Sequence, residues 1–138
     1  MEDLLAETRS DTSVADLEFI HLNKTAAMIE ASLIMGGLIG DAGDEELSLL
    51  RKTGRHLGLA FQITDDVLDA TSESATLGKT AGKDARANKA TFVKLHGIER
   101  SRELAVEHTT HAKSALSQIT GDTTFLNALI DSMAHRIR

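Results

Sequence analysis

The sequence predicts an all-α protein. Three observations carry that prediction: apolar residues recur at helical spacing in successive runs, nothing reads as a set of strands, and the chain contains no proline. Without proline no helix is forced to end by losing a backbone donor, so glycine supplies the punctuation. Leu17, Ile20, Leu22, Ala26, Ala27, Ile29, Leu33, Ile34 and Leu38 predict a first helix from about Val14 to about Ile39. Ser13 is its N-cap candidate, with Asp16 in the first turn. Its last part is apolar on most sides and is expected to be buried.

Gly40 to Gly43 reads as a turn. A second helix is expected from Asp44, with Glu45 and Glu46 favouring the dipole of its first turn, to about Ala70. Gly54 and Gly58, four apart, would let a neighbouring helix come close. From Thr71 to Ala87 the chain is polar and glycine-bearing and reads as a long loop, and such loops in compact domains are often functional. Three shorter helices follow, about Ala90 to Leu95, Glu99 to Ile119 and Thr123 to Ile137. No internal repeat or low-complexity tract interrupts them.

Composition excludes several functions. The 138 residues suffice for one modest domain, and a 41% hydrophobic fraction fills a core, unlike a disordered chain. Aromatic residues make up 3%, with no Trp or Tyr, and the net charge is −6. Both argue against nucleic-acid binding, which needs stacking platforms and positive charge. The absence of cysteine excludes disulfides and thiolate metal sites and suits a cytoplasmic protein. The N-terminus, Met1-Glu2-Asp3, has no basic or apolar start of a signal peptide. The longest apolar stretch, Ala26 to Ile39, is interrupted by Glu30 and Ser32 and is too short to span a bilayer, so no integral membrane protein is expected.

The strongest chemical signal is Asp65-Asp66-Val67-Leu68-Asp69. On a helix these three carboxylates share one side. Like charges at that spacing repel, Asp is a poor helix former, and the predicted helix end is already negative. Local rules broken in one direction mark functional sites, and a divalent cation would resolve the conflict. A solvated acidic helix end is the alternative. The following loop carries Lys79, Lys83, Arg86 and Lys89. Carboxylates for a metal beside ammonium groups suit a diphosphate ligand, although lysines also populate ordinary surface loops. His108 and His111 lie three apart without a third ligand at useful spacing, which argues against zinc, and His21 reads as an ordinary helix residue.

Phe61-Gln62-Ile63-Thr64-Asp65-Asp66-Val67-Leu68-Asp69 resembles the second aspartate-rich motif of the trans-isoprenyl diphosphate synthases. Leu77 to Asp84 and Asn88 to Phe92 resemble that family's downstream loop and next helix start, and His21-Leu22-Asn23-Lys24-Thr25 resembles its Lys-Thr motif. The resemblance runs from about Asp16 to the C-terminus and implies the C-terminal helices of the isoprenoid synthase bundle. It implies a prenyltransferase that condenses isopentenyl diphosphate with an allylic diphosphate using Mg²⁺. In that reading Asp65, Asp66 and Asp69 are the metal residues. Lys24, Thr25 and Gln62 are catalytic, and Lys24, Gln62, Lys79 and Lys89 bind substrate. Arg136 and Arg138 resemble the family's basic tail near the isopentenyl diphosphate site, a match that ordinary basic helix ends also produce.

The family carries a first aspartate-rich motif on a facing helix. No such cluster precedes Asp65 here, and the arginine pair that follows the first motif is also missing. Product length, governed near the first motif, is not readable. Three readings follow: the C-terminal half of a longer synthase, one subunit of a split enzyme, or an inactive helical module that binds a partner. The first implies an uncovered apolar face at Ala26 to Ile39, met by a homo-oligomer or by the missing half.

Overall fold

A computed structural model describes residues 22–75 and 91–137. All regular structure in it is helical. A π-helical turn, Leu22–Ala26, leads into α1, Ala27–Ile39. Helix α2 is Asp44–Ala75, α3 Phe92–His96, α4 Ile98–Leu116 and α5 Thr124–Ala134, and a 3₁₀ turn, His135–Ile137, ends the described chain.

Helix α2 is the centre of the bundle. Its middle is buried most of the way round, at Leu57, Leu59, Ala60, Ile63 and Val67. Three consecutive acidic residues, Asp44 to Glu46, open it against the positive end of its dipole. Helix α1 returns antiparallel along one flank, joined by a tight turn in which Asp41 takes a left-handed conformation (φ 55°) that Asp tolerates better than most residues. Helix α4 lies antiparallel along the other flank. Leu57, Ala112, Leu116 and Ile130 form one core cluster, joining α2, α4 and α5, and Ile29 from α1 packs against it. Toward the far end of α2, Ile63, Phe92 and Ala105 join α2, α3 and α4 in a second.

The approach of α1 to α2 depends on two glycines. A Cβ on Gly58 would lie 2.3 Å from Ala26 Cα, and one on Gly54 would lie 2.6 Å from Glu30 Cα. Helix backbones meet here with no side chain between them. Arg51 and Arg55, one on each side of Gly54, reach across it to one carboxylate: their Nε groups donate to the two oxygens of Glu30 at 3.0 and 2.8 Å. The two arginines are half-exposed and the Glu30 carboxylate they share is mostly buried, and together the pairs fix the register of the crossing.

Three expectations change. Helix α2 continues to Ala75 rather than stopping near Ala70, so residues 71–75 are helix and not loop. The polar residues there do not break the helix. The Thr71 hydroxyl donates to the carbonyls of Val67 and Leu68 one turn back, at 2.9 and 3.1 Å, so it is satisfied inside a helix. The apolar end of the first helix is not buried. Met28, Met35, Leu38 and Ile39 are 57–86% exposed, because that face has no neighbour among the described residues. Residues 22–26 form a π turn instead of continuing the α-helix. The predicted start near Val14 lies outside the described residues. The later helices fall within a few residues of expectation. Gly97 separates α3 from α4 with φ 80° and ψ 166°, a conformation essentially confined to glycine.

His56 on α2 meets His108 and His111 on α4, a gathering that the pair on α4 alone did not suggest. The Nδ1 atoms of His56 and His108 are 3.0 Å apart, so one ring donates to the other. The His56 ring centroid lies 5.1 Å from that of His111. Burial, then His108 and His111, lowers the pKa of His56. Burial, then His111, lowers that of His108, with Glu107 opposing.

Two predictions follow from this packing. Gly54→Ala and Gly58→Ala each destabilise the chain by about 1–3 kcal/mol, because the obstacle is backbone that cannot move aside. Gly36→Ala, whose Cβ meets nothing within 4 Å among the described residues, stabilises it by about 0.5–1 kcal/mol. Urea unfolding measures all three, and stabilisation by the first two would mean that the crossing relaxes freely. For the histidines, the folded state holds the lowered pKa and the unfolded state binds more protons. Their contribution is therefore present above the ordinary value of about 6.5 and is lost as pH falls below it. The thermal midpoint drops between pH 7.5 and 5.5, and His56→Gln flattens that drop.

Candidate functional site

The aspartates sit on α2 beyond its crossing with α1. Because the helix runs to Ala75, they occupy its interior rather than its last turn. The dipole conflict expected there is removed, since that effect fades within one turn. Repulsion between carboxylates and the low helix propensity of Asp remain.

The three carboxylates have different surroundings. Asp65 is half-exposed, and its Oδ1 lies 3.2 Å from Nη2 of Arg136 in the 3₁₀ turn. The guanidinium carbon of Arg136 also stands 5.5 Å from the ring centroid of Phe61, one turn before Asp65. Asp66 turns toward α3, and its Oδ2 accepts the backbone N–H of Phe92 at 2.9 Å. Together with Thr91, whose hydroxyl accepts from the Lys94 N–H at 3.2 Å, it satisfies the first turn of α3. Asp69 is exposed. No three His, Asp or Glu side chains converge to hold a metal among the described residues. What α2 offers a cation is therefore the pair Asp65 and Asp69, one helical turn apart, with Asp66 holding the start of α3.

Lys24 is exposed on the π turn, Thr25 beside it is half-buried, and Ala26 is fully buried against Gly58. Gln62 is half-buried one turn after Gly58, so the close crossing brings the Lys24-Thr25 turn alongside the part of α2 that leads to Gln62 and Asp65. Lys79, Lys83, Arg86, Lys89 and Arg138 lie outside the described residues. Sequence reasoning missed the role of Asp66 as acceptor for α3 and the contact between Arg136 and Asp65. Neither had a local signal, because each joins segments far apart in the chain.

The family model described as polyprenyl synthetase matches residues 1–128. A chloroplastic geranylgeranyl pyrophosphate synthase of Catharanthus roseus is 44% identical over 135 residues, covering 97% of this chain and 38% of that protein. The large subunit 1 of a heterodimeric chloroplastic geranylgeranyl pyrophosphate synthase of Arabidopsis thaliana is 45% identical over 128 residues, covering 92% of this chain and 34% of that one. The chain thus spans little more than a third of these curated relatives. Among solved structures, a decaprenyl diphosphate synthase from Rhodobacter capsulatus superposes with a TM-score of 0.81 at 28% identity, over 99% of this chain and 55% of that one. No helix among the described residues is long and apolar enough to cross a membrane.

Asp66→Ala removes an acceptor from a half-buried amide. The change costs about 1–3 kcal/mol of stability, and the Phe92 amide exchanges with solvent faster in hydrogen-exchange measurements. An unchanged exchange rate at Phe92 would show that α3 does not depend on Asp66.

Proposed function

The chain belongs to the polyprenyl synthetase family, and on that premise we propose that it supplies the second aspartate-rich half of a trans-isoprenyl diphosphate synthase. That enzyme joins isopentenyl diphosphate to an allylic diphosphate. The observation that carries this reading is the Asp65-Asp66-Asp69 cluster on the central helix, within the residues matched by the family model. The donor set fits Mg²⁺: carboxylate oxygens are hard ligands, and this ion takes one or two of them beside waters and phosphates. Asp65 and Asp69 would hold it, and Asp66 supports them through α3. Bound there, the ion would offset the negative charge of the diphosphate.

In this proposal the chain's own residues bind and orient. Lys24, Lys79 and Lys89 contact diphosphate oxygens and stabilise the charge that grows as the allylic C–O bond breaks and the diphosphate leaves with the electron pair. Thr25 and Gln62 position the allylic carbon skeleton near the double bond of isopentenyl diphosphate, which attacks the resulting cation. The departed diphosphate then takes up a proton from the coupled cation, leaving a chain longer by five carbons.

The first aspartate-rich motif would come from the remainder of a longer chain or from a second subunit. The exposed face of α1, Met28, Met35, Leu38 and Ile39, suits contact with it. A second reading, an inactive helical subunit of a heteromeric synthase, draws on the relative named as one subunit of a heterodimer. The cytoplasm is one setting this proposal allows. The relatives named above are chloroplastic, so an organelle is another.

Calorimetric titration of inorganic diphosphate in the presence of Mg²⁺ tests the proposal. Asp65→Ala should weaken binding on the order of 10-fold or more, as expected for a lost charged contact. Equal binding by both proteins would remove the metal role of the cluster and favour the inactive subunit. Alone, the chain is expected to bind with little turnover.

A further inference from the structure

We infer that Arg136 is a resident counter-ion of Asp65 that a divalent cation displaces as it loads the acidic part of α2. The inference rests on the proposed role of Asp65 as a metal ligand and assigns a regulator to that ligand. Two neighbouring side chains of α2 hold the guanidinium. Asp65 holds it by charge, with Nη2 3.2 Å from Oδ1. Phe61, four residues earlier on the same face, holds it through its ring, 5.5 Å from the guanidinium carbon.

The position of Arg136 follows from the packing of α5. Ile130 is buried in the cluster with Leu57 and Leu116. Asp131 pairs with Lys113 of α4. The 3₁₀ turn His135–Ile137 then extends α5 toward the aspartates. The guanidinium thus stands beside the Asp65 oxygen that a cation would use. Asp65 would offer a divalent cation that same oxygen as a hard ligand. A second positive group paired with the same atom opposes its arrival by repulsion. Both partners are partly exposed, 46% and 36% at the side chain, so the contact acts as a weak competitor that cation can displace and not as a lock.

The test is binding of Mn²⁺ to the full chain, measured by titration calorimetry at low salt without substrate. Arg136→Gln should bind Mn²⁺ about 2- to 5-fold more tightly than wild type, the range of a half-exposed ion pair. Arg136→Lys, which keeps the charge but loses the guanidinium over the Phe61 ring, should fall between them. Paramagnetic broadening of the Asp65 and Phe61 resonances locates the bound ion, and circular dichroism confirms that the variants keep their helix content. If Asp65→Asn abolishes binding while Arg136→Gln binds as wild type does, or more weakly, the counter-ion inference is overturned and the proposed function stands. If neither wild type nor Arg136→Gln binds Mn²⁺, both fall.

Discussion

The approach of two helix backbones at Gly54 and Gly58 is the constraint on which the other features rest. Any side chain at either position would collide with Ala26 or Glu30, so these glycines set the distance between α1 and α2. The Glu30 carboxylate, bridging Arg51 and Arg55, sets their register. The stripe that begins at Gly58 continues through Gln62 and Asp65 to Asp69 at spacings of three and four residues. The helix face that accepts α1 therefore passes, within two to three turns, into the face that carries the carboxylates. The close crossing and the candidate chemistry belong to a single surface of α2.

The π turn at Leu22–Ala26 belongs to the same constraint. It occurs where Ala26 is pressed against Gly58, and it carries Lys24 and Thr25. A π turn adds a residue to the helical circumference and so rotates the preceding residues relative to the helix that follows. Such turns are rare and occur disproportionately at functional sites. Here the wide turn alters the direction in which Lys24 and Thr25 leave α1, while Ala26 stays fixed in the contact. Position along α1 and orientation at its start are thus adjusted separately.

The features legible in the sequence were those with a local cause. Acidic residues at Asp44 to Glu46 marked the start of α2. The four-residue spacing of Gly54 and Gly58 announced a close helix neighbour, and the aspartate motif was visible as a pattern of local conflict. What escaped depended on partners distant in the chain. Polar residues after Ala70 suggested a loop because back-bonding such as that of the Thr71 hydroxyl to preceding carbonyls has no composition signal. His56 gave no sign of joining His108, since 52 residues separate them. The expected burial of α1 failed for a related reason. Apolar character says that a face needs covering but not whether the cover lies in the same stretch of chain.

The proposed Mg²⁺ would take one or two carboxylates from protein, fewer than the three aspartates in this stretch of α2, and their surroundings give the surplus a reason. A carboxylate that folds the protein and one that exchanges ligands face opposite requirements. The first needs a fixed partner, and Asp66 has one in the Phe92 amide at the start of α3. The second must be able to release its partner, and Asp65 has a half-exposed arginine. Asp69, exposed, faces water. Were all three equally held by the protein, none could accept a cation without unmaking the fold around it. Were none held, mutual repulsion would oppose the helix that carries them. Under the proposed metal role, this division would let α3 stay anchored while the ligands of Asp65 change. The motif would then be stable without metal and still open to it.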